Sequence, residues 1–249
     1  MTPTAGTVDS DEVARFSAMA AEWWDPAGKF RPLHAFNPVR LGYIRDTVCQ
    51  RLGRNPETAR PLEGVSVLDI GCGGGLLAEP IARMGAEVLG IDASERNVKT
   101  AAAHAAETGT GVDYRFATAE ELAAEGRTFD VVLAMEVLEH VADVDLFLKS
   151  CAALMRPDGV LFFATLNRTA KAYAMAIVGA EYILRWLPRG THDWRKFLRP
   201  SEIANGVRAH GLAVKGLTGL TYNPIADEFR LNARDLDVNY MGWAERVVI

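Results

Sequence analysis

Residues 67–94 read VLDIGCGGGLLAEPIARMGAEVLGIDAS, and this stretch decides the fold. An apolar run ends in a glycine cluster, an amphipathic segment follows, and a second apolar run ends at Asp92. This order predicts a strand, a tight turn, a helix and a second, parallel strand. The glycines let the backbone bend sharply and open the N-terminus of the helix to a ligand. Because Asp92 at the end of the second strand can accept hydrogen bonds from a ribose diol, the stretch predicts a nucleoside site.

Length and composition set the class of protein. The chain has 249 residues, of which 49% are hydrophobic, enough for the core of one globular unit. A net charge of -5 argues against a broad nucleic-acid surface, so we expect no nucleic-acid partner. Cys49, Cys72 and Cys151 form no CxxC pair, which predicts free thiols in a reducing compartment. With no signal peptide, no transit peptide and no apolar run of about 20 residues, we expect a cytoplasmic protein.

Strand-like and helix-like segments alternate along the rest of the chain. Residues 129–135 form a continuous apolar run that is typical of a strand buried on both faces. The alternation predicts an α/β fold with a doubly wound, mostly parallel, seven-stranded sheet and right-handed crossovers. Further strands are predicted at 112–116, 160–166, 212–220 and 238–242. We expect a single domain with N-terminal helices and a linker at 1–64, a cofactor-binding core at 65–166, an insertion at 167–200 and a C-terminal part of the sheet at 201–249.

Two helices are predicted ahead of the nucleoside site. Asp9 and Glu12 resemble a capping box for an amphipathic first helix, which we expect to end near Asp25. Residues 30–34 are predicted to be an irregular connection, and a second helix is predicted at 39–52. This Trp-rich and Phe-rich segment is either a lid over the ligand or an appendage that only packs on the core.

The glycine loop fits two classes of cofactor. Residues 73–78 satisfy the dinucleotide fingerprint G-x-G-x-x-A, which keeps a nicotinamide-dependent oxidoreductase open. The same stretch carries an acid, Asp69, before glycines at 71, 73 and 75. That arrangement resembles the first motif of the class I S-adenosylmethionine-dependent methyltransferases. A carboxylate there suits a ligand with a sulfonium and an ammonium better than one with a diphosphate.

Blocks outside this core carry a more specific resemblance. Residues 22–34, EWWDPAGKFRPLH, and 37–40, NPVR, closely resemble the N-terminal signature of the ubiquinone-biosynthesis O-methyltransferases. Residues 129–141 and 154–159 resemble the fourth motif and the post-core turn of the wider class. The family resemblance covers residues 13–241 and continues through the blocks at 165–168, 178–184, 190–194, 222–224 and 237–241.

The resemblance implies a reaction, a cofactor and partners. The methyl group of S-adenosylmethionine moves to a phenolic oxygen on a polyprenylated ring, first on a catechol and later on a demethylated quinol. Other ubiquinone-biosynthesis enzymes are implied as protein partners. A methyltransferase acting on another small molecule or on tRNA is the alternative within the class. The implied cofactor contacts are Arg40, Asp69, Gly71, Gly73, Asp92 and Met135.

Three side chains after the apolar run at 129–135 are candidates for the chemistry. A phenol with a pKa near 10 is mostly protonated at neutral pH, so a base or a cation beside the oxygen is useful. Glu136, Glu139 and His140 would share one face if a helix began here, and such a face can hold Mg²⁺. The alternatives are that His140 acts as a base without a metal, or that the three residues only cap the helix.

The insertion has the composition of an interfacial segment. Residues 172–184, AYAMAIVGAEYIL, are apolar except for Glu181 and are too short to span a bilayer. Residues 168–199 carry seven Lys or Arg against two acids, a local charge of +5. These features predict peripheral binding to an anionic membrane, at the inner face of the cytoplasmic membrane. The alternative is a core helix beside the active site.

Overall fold

One mixed sheet of eight strands runs through the part of the chain that the structure describes. The structure is a computed structural model and describes residues 6–183, 190–223, 226 and 228–247. The strand order is β3-β2-β1-β4-β5-β8-β6-β7, with parallel pairing from β3 to β5 and antiparallel pairing beyond. The strands are β1 Ser66–Ile70, β2 Glu87–Asp92, β3 Asp113–Phe116, β4 Phe129–Met135, β5 Met155–Leu166, β6 Leu212–Asn223, β7 Glu228–Asn232 and β8 Asn239–Arg246.

Helices cover both faces of the sheet. Along β1, Val67 packs into the cluster on one face and Leu68 into the cluster on the other, as the two-residue period of a strand requires. The helices are α1 Ser10–Ala18, α2 Arg31–Leu52, α3 Ala78–Arg83, α4 Glu95–Thr108, α5 Ala119–Ala124, α6 Val144–Ala153, α7 Ala170–Ala172, which continues as the π-helix Tyr173–Ile183, and α8 Pro200–Ala209. Short 3₁₀ turns lie at Ala20–Glu22, Leu138–His140 and Trp194–Lys196.

The prediction of seven strands was wrong by one. Strand β7 pairs antiparallel with the end of β6, from Gly219 opposite Asn232 to Asn223 opposite Glu228. Its five residues, EFRLN, alternate polar and apolar side chains, but the run is short and none of its residues is fully buried, so its sequence is a weak signal for a strand. Residues 228–232 become a strand because they pair with β6 in the folded sheet.

The boundary of the second helix was also wrong. Helix α2 begins at Arg31, so the predicted irregular connection at 30–34 forms its first turn, where Pro32 is well tolerated. Pro38 lies inside the helix and cannot donate a backbone hydrogen bond. The helix nevertheless continues through Pro38, and beside it the Asn37 amide donates to the Leu76 carbonyl oxygen at 2.8 Å and holds the helix to the glycine loop.

The parallel part of the sheet places the predicted site residues together. The carboxyl ends of β1, β2 and β4 meet at one edge, and these strands carry Asp69, Asp92 and Met135 at or near their ends. Ligands of doubly wound sheets bind at this edge, beside the point where the strand order reverses. The order β3-β2-β1-β4 puts that point between β1 and β4.

Two glycines give a paired test of the packing. A Cβ added to Gly242 in β8 would lie 2.5 Å from the Gly216 carbonyl oxygen, so Gly242→Ala is expected to destabilise the fold by about 1–3 kcal/mol. Gly42 in α2 has no atom within 4 Å of such a Cβ, so Gly42→Ala is expected to stabilise by about 0.5–1 kcal/mol. Urea unfolding followed by circular dichroism measures both, and equal stability of Gly242→Ala and the wild type would contradict the strand packing.

Candidate active site

Side chains from other parts of the protein pack directly on the glycine loop. Gly71 and Gly73 have φ values of 69° and 55°, in the left-handed region that favours glycine. A Cβ at Gly71 would lie 2.5 Å from Val137, and a Cβ at Gly73 would overlap the indole of Trp23. Part of the space over these glycines is therefore filled by Trp23, which the sequence pattern alone did not indicate.

The segment between α1 and α2 covers this loop as a lid would. Trp23 stacks on Phe30 with ring centroids 3.7 Å apart, and its indole N–H donates to Asn97 in α4 at 3.1 Å. The indole N–H of Trp24 donates to the Gly74 carbonyl oxygen at 2.8 Å. These bonds attach the N-terminal segment to the glycine loop and to the helix that follows β2.

A cavity of about 700 Å³ lies beneath the N-terminal segment. Residues of the glycine loop, the ends of β2 and β4, the π-helix and the β6–β7 hairpin line it. It is large enough for a drug-sized ligand. All nine predicted site residues line this one cavity: Arg40, Asp69, Gly71, Gly73, Asp92, Met135, Glu136, Glu139 and His140.

Asp92 is held rigidly at the end of β2. One carboxylate oxygen accepts a hydrogen bond from the Gly73 backbone N–H at 2.9 Å, and the other accepts from the Ser94 backbone N–H at 2.8 Å. The Asn97 amide also donates to it, at 3.2 Å. Burial raises the pKa of Asp92, while these three donors act in the opposite direction. The carboxylate is thereby oriented beside the glycine loop, where it can accept further hydroxyl donors.

A buried ionic cluster lies next to the glycine loop. Arg40 is 3% exposed, its guanidinium lies 3.6 Å from the Glu136 carboxylate, and its Nε has no hydrogen-bond partner. Burial lowers the pKa of Arg40, against the opposing fields of Glu136, Asp69 and Glu139. Burial also raises the pKa of Asp69 to about 7, with Arg40 acting against it and Asp92 adding to it. One cation among several carboxyl groups can accept a ligand that carries one anionic and two cationic groups.

Glu136 and Glu139 have separate anchors in the structure. Glu136 has a φ of 57°, an unusual backbone conformation for a residue other than glycine, and such strain clusters at functional sites. Its carboxylate accepts a hydrogen bond from the Asn239 amide at 3.0 Å. Glu139 is buried and accepts from the Thr165 hydroxyl at 2.7 Å, and burial together with the adjacent Glu136 raises its pKa well above the ordinary value.

The predicted metal-binding face does not form. Glu136 lies before the turn in a left-handed conformation and residues 138–140 form a 3₁₀ turn, so the spacing i, i+3, i+4 does not correspond to one face of an α-helix. His140 turns away to Glu12. Among the described residues, no group of three or more His, Cys, Asp or Glu side chains is arranged to hold a metal ion. The structure therefore keeps Glu136 and Glu139 adjacent but does not add His140 to them as a third ligand of Mg²⁺.

His140 is anchored from the first helix. Its Nδ1 lies 3.2 Å from Glu12 Oε2, which also accepts a hydrogen bond from Arg15 at 3.2 Å, while Lys196 donates to Glu12 Oε1 at 3.2 Å. Burial raises the pKa of Glu12, but the hydrogen bonds from His140 and Lys196 outweigh burial and leave the pKa lowered. Glu12 is therefore a carboxylate that orients the imidazole, and sequence reasoning had assigned it only to a helix cap.

Comparison with known proteins identifies the family. A family model described as a methyltransferase domain matches residues 40–215. A ubiquinone biosynthesis O-methyltransferase of Parvibaculum lavamentivorans is 62% identical over 96% of this chain and 94% of its own length, and one of Rhizobium etli is 61% identical over 96% of both chains. The chain belongs to the ubiquinone biosynthesis O-methyltransferases. A solved magnesium protoporphyrin IX methyltransferase of Synechocystis with bound S-adenosylmethionine covers 98% of this chain and 100% of its own at 19% identity, with a TM-score of 0.60, and shows the shared fold.

Membership in the ubiquinone biosynthesis O-methyltransferases resolves the choice of cofactor. The methyl donor is S-adenosylmethionine, and the nicotinamide alternative left by the glycine loop is set aside. The predicted resemblance to this family is confirmed. Its site contains Glu12 and Asn97, which sequence reasoning missed, and Trp23, which it had placed only within a segment expected to be a lid or a packing appendage. A signal existed for Glu12, because it lies four residues before Phe16 on the apolar face of its helix.

The raised pKa of Asp69 predicts pH-dependent cofactor binding. As the pH rises from 5.5 to 7.5, Asp69 ionises and attracts the cationic groups of S-adenosylmethionine, so the Kd is expected to fall. Asp69→Asn is expected to weaken binding about tenfold at pH 7.5 and to flatten this pH dependence. Isothermal titration calorimetry at several pH values measures both effects.

Asp130→Asn is the matched control for Asp69→Asn. Asp130 begins β4 at the opposite edge of the sheet, where it bonds Ser66 at 2.6 Å and Arg156 at 2.7 Å. This variant should keep the wild-type affinity and pH dependence. If the Asp69→Asn variant retains the wild-type pH dependence, another group is responsible.

Proposed function

We propose that this enzyme transfers the methyl group of S-adenosylmethionine to phenolic hydroxyls of polyprenylated catechol and quinol intermediates, at both O-methylation steps of ubiquinone biosynthesis. The curated relatives support this proposal, since they bear that name at about 60% identity over nearly the whole chain. The observation that carries it is one cavity lined both by the residues that would hold the cofactor and by the imidazole of His140, which Glu12 anchors. Other enzymes of the same pathway are the protein partners that this function implies.

The ionic cluster suggests how the cofactor would be held. Arg40, whose Nε lacks a partner, would bind the carboxylate of the cofactor, and Asp69 would attract its ammonium. Asp92 would accept the two ribose hydroxyls, and Met135 would present a soft apolar edge to the adenine. Gly71 and Gly73 supply the left-handed backbone of the loop beside this site, and their missing Cβ atoms leave room for Val137 and Trp23. The cofactor supplies an electrophilic methyl group on a sulfonium.

His140 is the group best placed to receive the phenolic proton. Its Nδ1 faces Glu12, so the tautomer with a proton on Nδ1 leaves Nε2 free to accept one. Glu139 has a raised pKa and is already bonded to Thr165, and Glu136 is paired with Arg40 and Asn239. Glu136 and Glu139 therefore contribute to the electrostatic potential of the site, while His140 acts as the base. Alignment of the reacting groups in the cavity supplies much of the remaining acceleration.

A methylation assay on both phenolic substrates tests this function. Turnover is expected to survive a chelator, because Glu12 engages His140 and leaves the adjacent Glu136 and Glu139 without it as a third ligand. His140→Ala is expected to lower kcat about 10²-fold or more, since general bases contribute on that scale. Affinity for S-adenosylmethionine should stay within about twofold.

Each outcome of that assay bears on a different part of the proposal. Loss of turnover in chelator that added Mg²⁺ restores would contradict the metal-free role of His140. Unchanged turnover in His140→Ala would remove its role as the base. A protein that binds the cofactor and methylates neither phenol would contradict the substrate assignment.

The π-helix supports the proposed attachment to an anionic membrane. It exposes an apolar face formed by Tyr173, Met175, Val178 and Tyr182. In the part of the chain that the structure describes, no helix is long and apolar enough to cross a bilayer. A polyprenyl substrate resides in the membrane, so an exposed apolar face beside the cavity gives it a route to the site.

Charge contributes less to this face than the count of +5 suggests. The basic side chains of the insertion that the structure describes are partly neutralised, since Arg168 pairs with Glu202, Lys171 with Asp235 and Asp237, Arg195 with Asp193, and Lys196 with Asp9 and Glu12. Arg185, Trp186 and Arg189 lie outside the described residues. We therefore expect the apolar face to supply most of the affinity, and salt to weaken it only in part.

Sedimentation with vesicles that contain an anionic phospholipid tests the membrane face. The double variant Met175→Glu and Val178→Glu is expected to lower binding about tenfold or more, because both apolar side chains leave the interface. Phe116→Glu is the control, since Phe116 is a large exposed apolar residue at the end of β3 and is not part of this face. Equal binding of the double variant and the wild type would rule out this face as the attachment site.

A further inference from the structure

A second imidazole lies beside His140 in the same cavity. The ring centroid of His192 is 6.3 Å from that of His140, with 34° between the ring planes, and both residues line the cavity. His192 belongs to residues 190–194, GTHDW, a block that marks the family resemblance. Neither cofactor binding nor the base just described gives it a role.

His192 is oriented by a buried carboxylate. Its Nδ1 lies 3.0 Å from Glu181, its backbone N–H donates to the same carboxylate oxygen at 2.9 Å, and the Gly190 N–H donates to the other oxygen at 2.7 Å. Burial raises the pKa of Glu181, but the hydrogen bonds from His192 and Gly190 outweigh burial and leave it lowered. Glu181 is thus a buried carboxylate in an otherwise apolar segment, and burying such a charge is costly unless it has partners.

The carboxylate determines which nitrogen of His192 carries a proton. An ionised carboxylate only accepts hydrogen bonds, so the neutral imidazole places its proton on Nδ1 toward Glu181. The Nε2 atom is then a free acceptor. Phe197 packs edge-on against the ring with centroids 5.9 Å apart and helps to fix its plane.

His140 and His192 therefore form a matched pair. Each is a ring that lines the cavity and is anchored at Nδ1 by a carboxylate, one from α1 and one from the π-helix. The two ring centroids are 6.3 Å apart, close enough for two neighbouring hydroxyls of one aromatic ring to donate one hydrogen bond of about 2.8 Å to each imidazole. A single hydroxyl can use only one of them.

We propose that His192, oriented by Glu181, accepts a hydrogen bond from the hydroxyl next to the one that is methylated, so that the site selects substrates with two adjacent phenolic oxygens. The inference rests on the proposed function and names the feature of the substrate that the site recognises. His140 receives the proton of the reacting hydroxyl. His192 leaves the neighbouring hydroxyl protonated and fixes the ring in one orientation.

Substrate discrimination tests the role of His192. The probes are a short-chain prenylated catechol and the matched prenylated phenol that lacks the second hydroxyl. The ratio of their kcat/KM values is measured for the wild type, His192→Ala, Glu181→Gln and His210→Ala. His210 is the control because it bonds Asp145 at 3.0 Å and does not line the cavity. Affinity for S-adenosylmethionine confirms that each variant is folded.

The wild type is expected to prefer the catechol by about tenfold or more, the value of one good hydrogen bond. His192→Ala should lower this ratio about tenfold while turnover of the phenol stays within about twofold. Glu181→Gln should lower the ratio partway, because the imidazole loses its orientation, and His210→Ala should match the wild type. An unchanged ratio in His192→Ala, or an equal loss on both probes, would overturn the proposal.

A binding measurement separates this inference from the proposed function. If the wild type methylates neither probe, the proposed function fails, and binding of the two probes in the presence of S-adenosylhomocysteine then tests His192 alone. Selective loss of catechol affinity in His192→Ala would support recognition of adjacent hydroxyls. Equal affinity of the wild type and the variant for the catechol would refute it.

Discussion

The guanidinium of Arg40 lies buried beside Glu136, while Asp69 and Glu139 add to the negative field around it. A buried charge is costly unless it is paired, and here the pairing is loose, with 3.6 Å between the nearest charged atoms and an Nε that lacks a partner. The fold tolerates this because α2 is fixed to the glycine loop through Asn37. The cluster keeps its acids and its cation available for a ligand that carries both signs of charge.

The N-terminal segment connects this cluster to the chemistry. Trp23 lies on the glycines and donates a hydrogen bond to Asn97, and eleven residues earlier Glu12 bonds His140. The residue that covers the glycine loop and the residue that anchors the proposed base therefore belong to the same N-terminal segment. Displacement of that segment would uncover the glycine loop and separate Glu12 from His140 at the same time. Both parts of the site therefore depend on the position of this segment.

The π-helix has two faces with different surroundings. Glu181 points inward and is almost fully buried on His192 and the backbone that follows it, while Tyr173, Val178 and Tyr182 point outward and are exposed. The same element thus lies between the cavity and the surface that we propose to meet the membrane. A substrate with a polar ring and a long apolar tail suits this arrangement, since its two ends need opposite surroundings.

Much of this protein follows from its sequence. Residues 67–94 determined the strand, turn, helix and strand, because glycine spacing and hydrophobic period are local properties of the chain, and β4 was predicted at its observed bounds, Phe129–Met135. All nine predicted site residues line one cavity, since parallel strands bring their carboxyl ends to one edge. The sequence did not show where α2 starts, because the helix extends through both Pro32 and Pro38 in the folded protein. It also did not show β7, which forms by pairing with β6. Only the tertiary structure brought Glu12 to His140, across 128 residues, and placed the Glu181–His192 pair beside that imidazole, because such contacts depend on how distant segments close over the sheet.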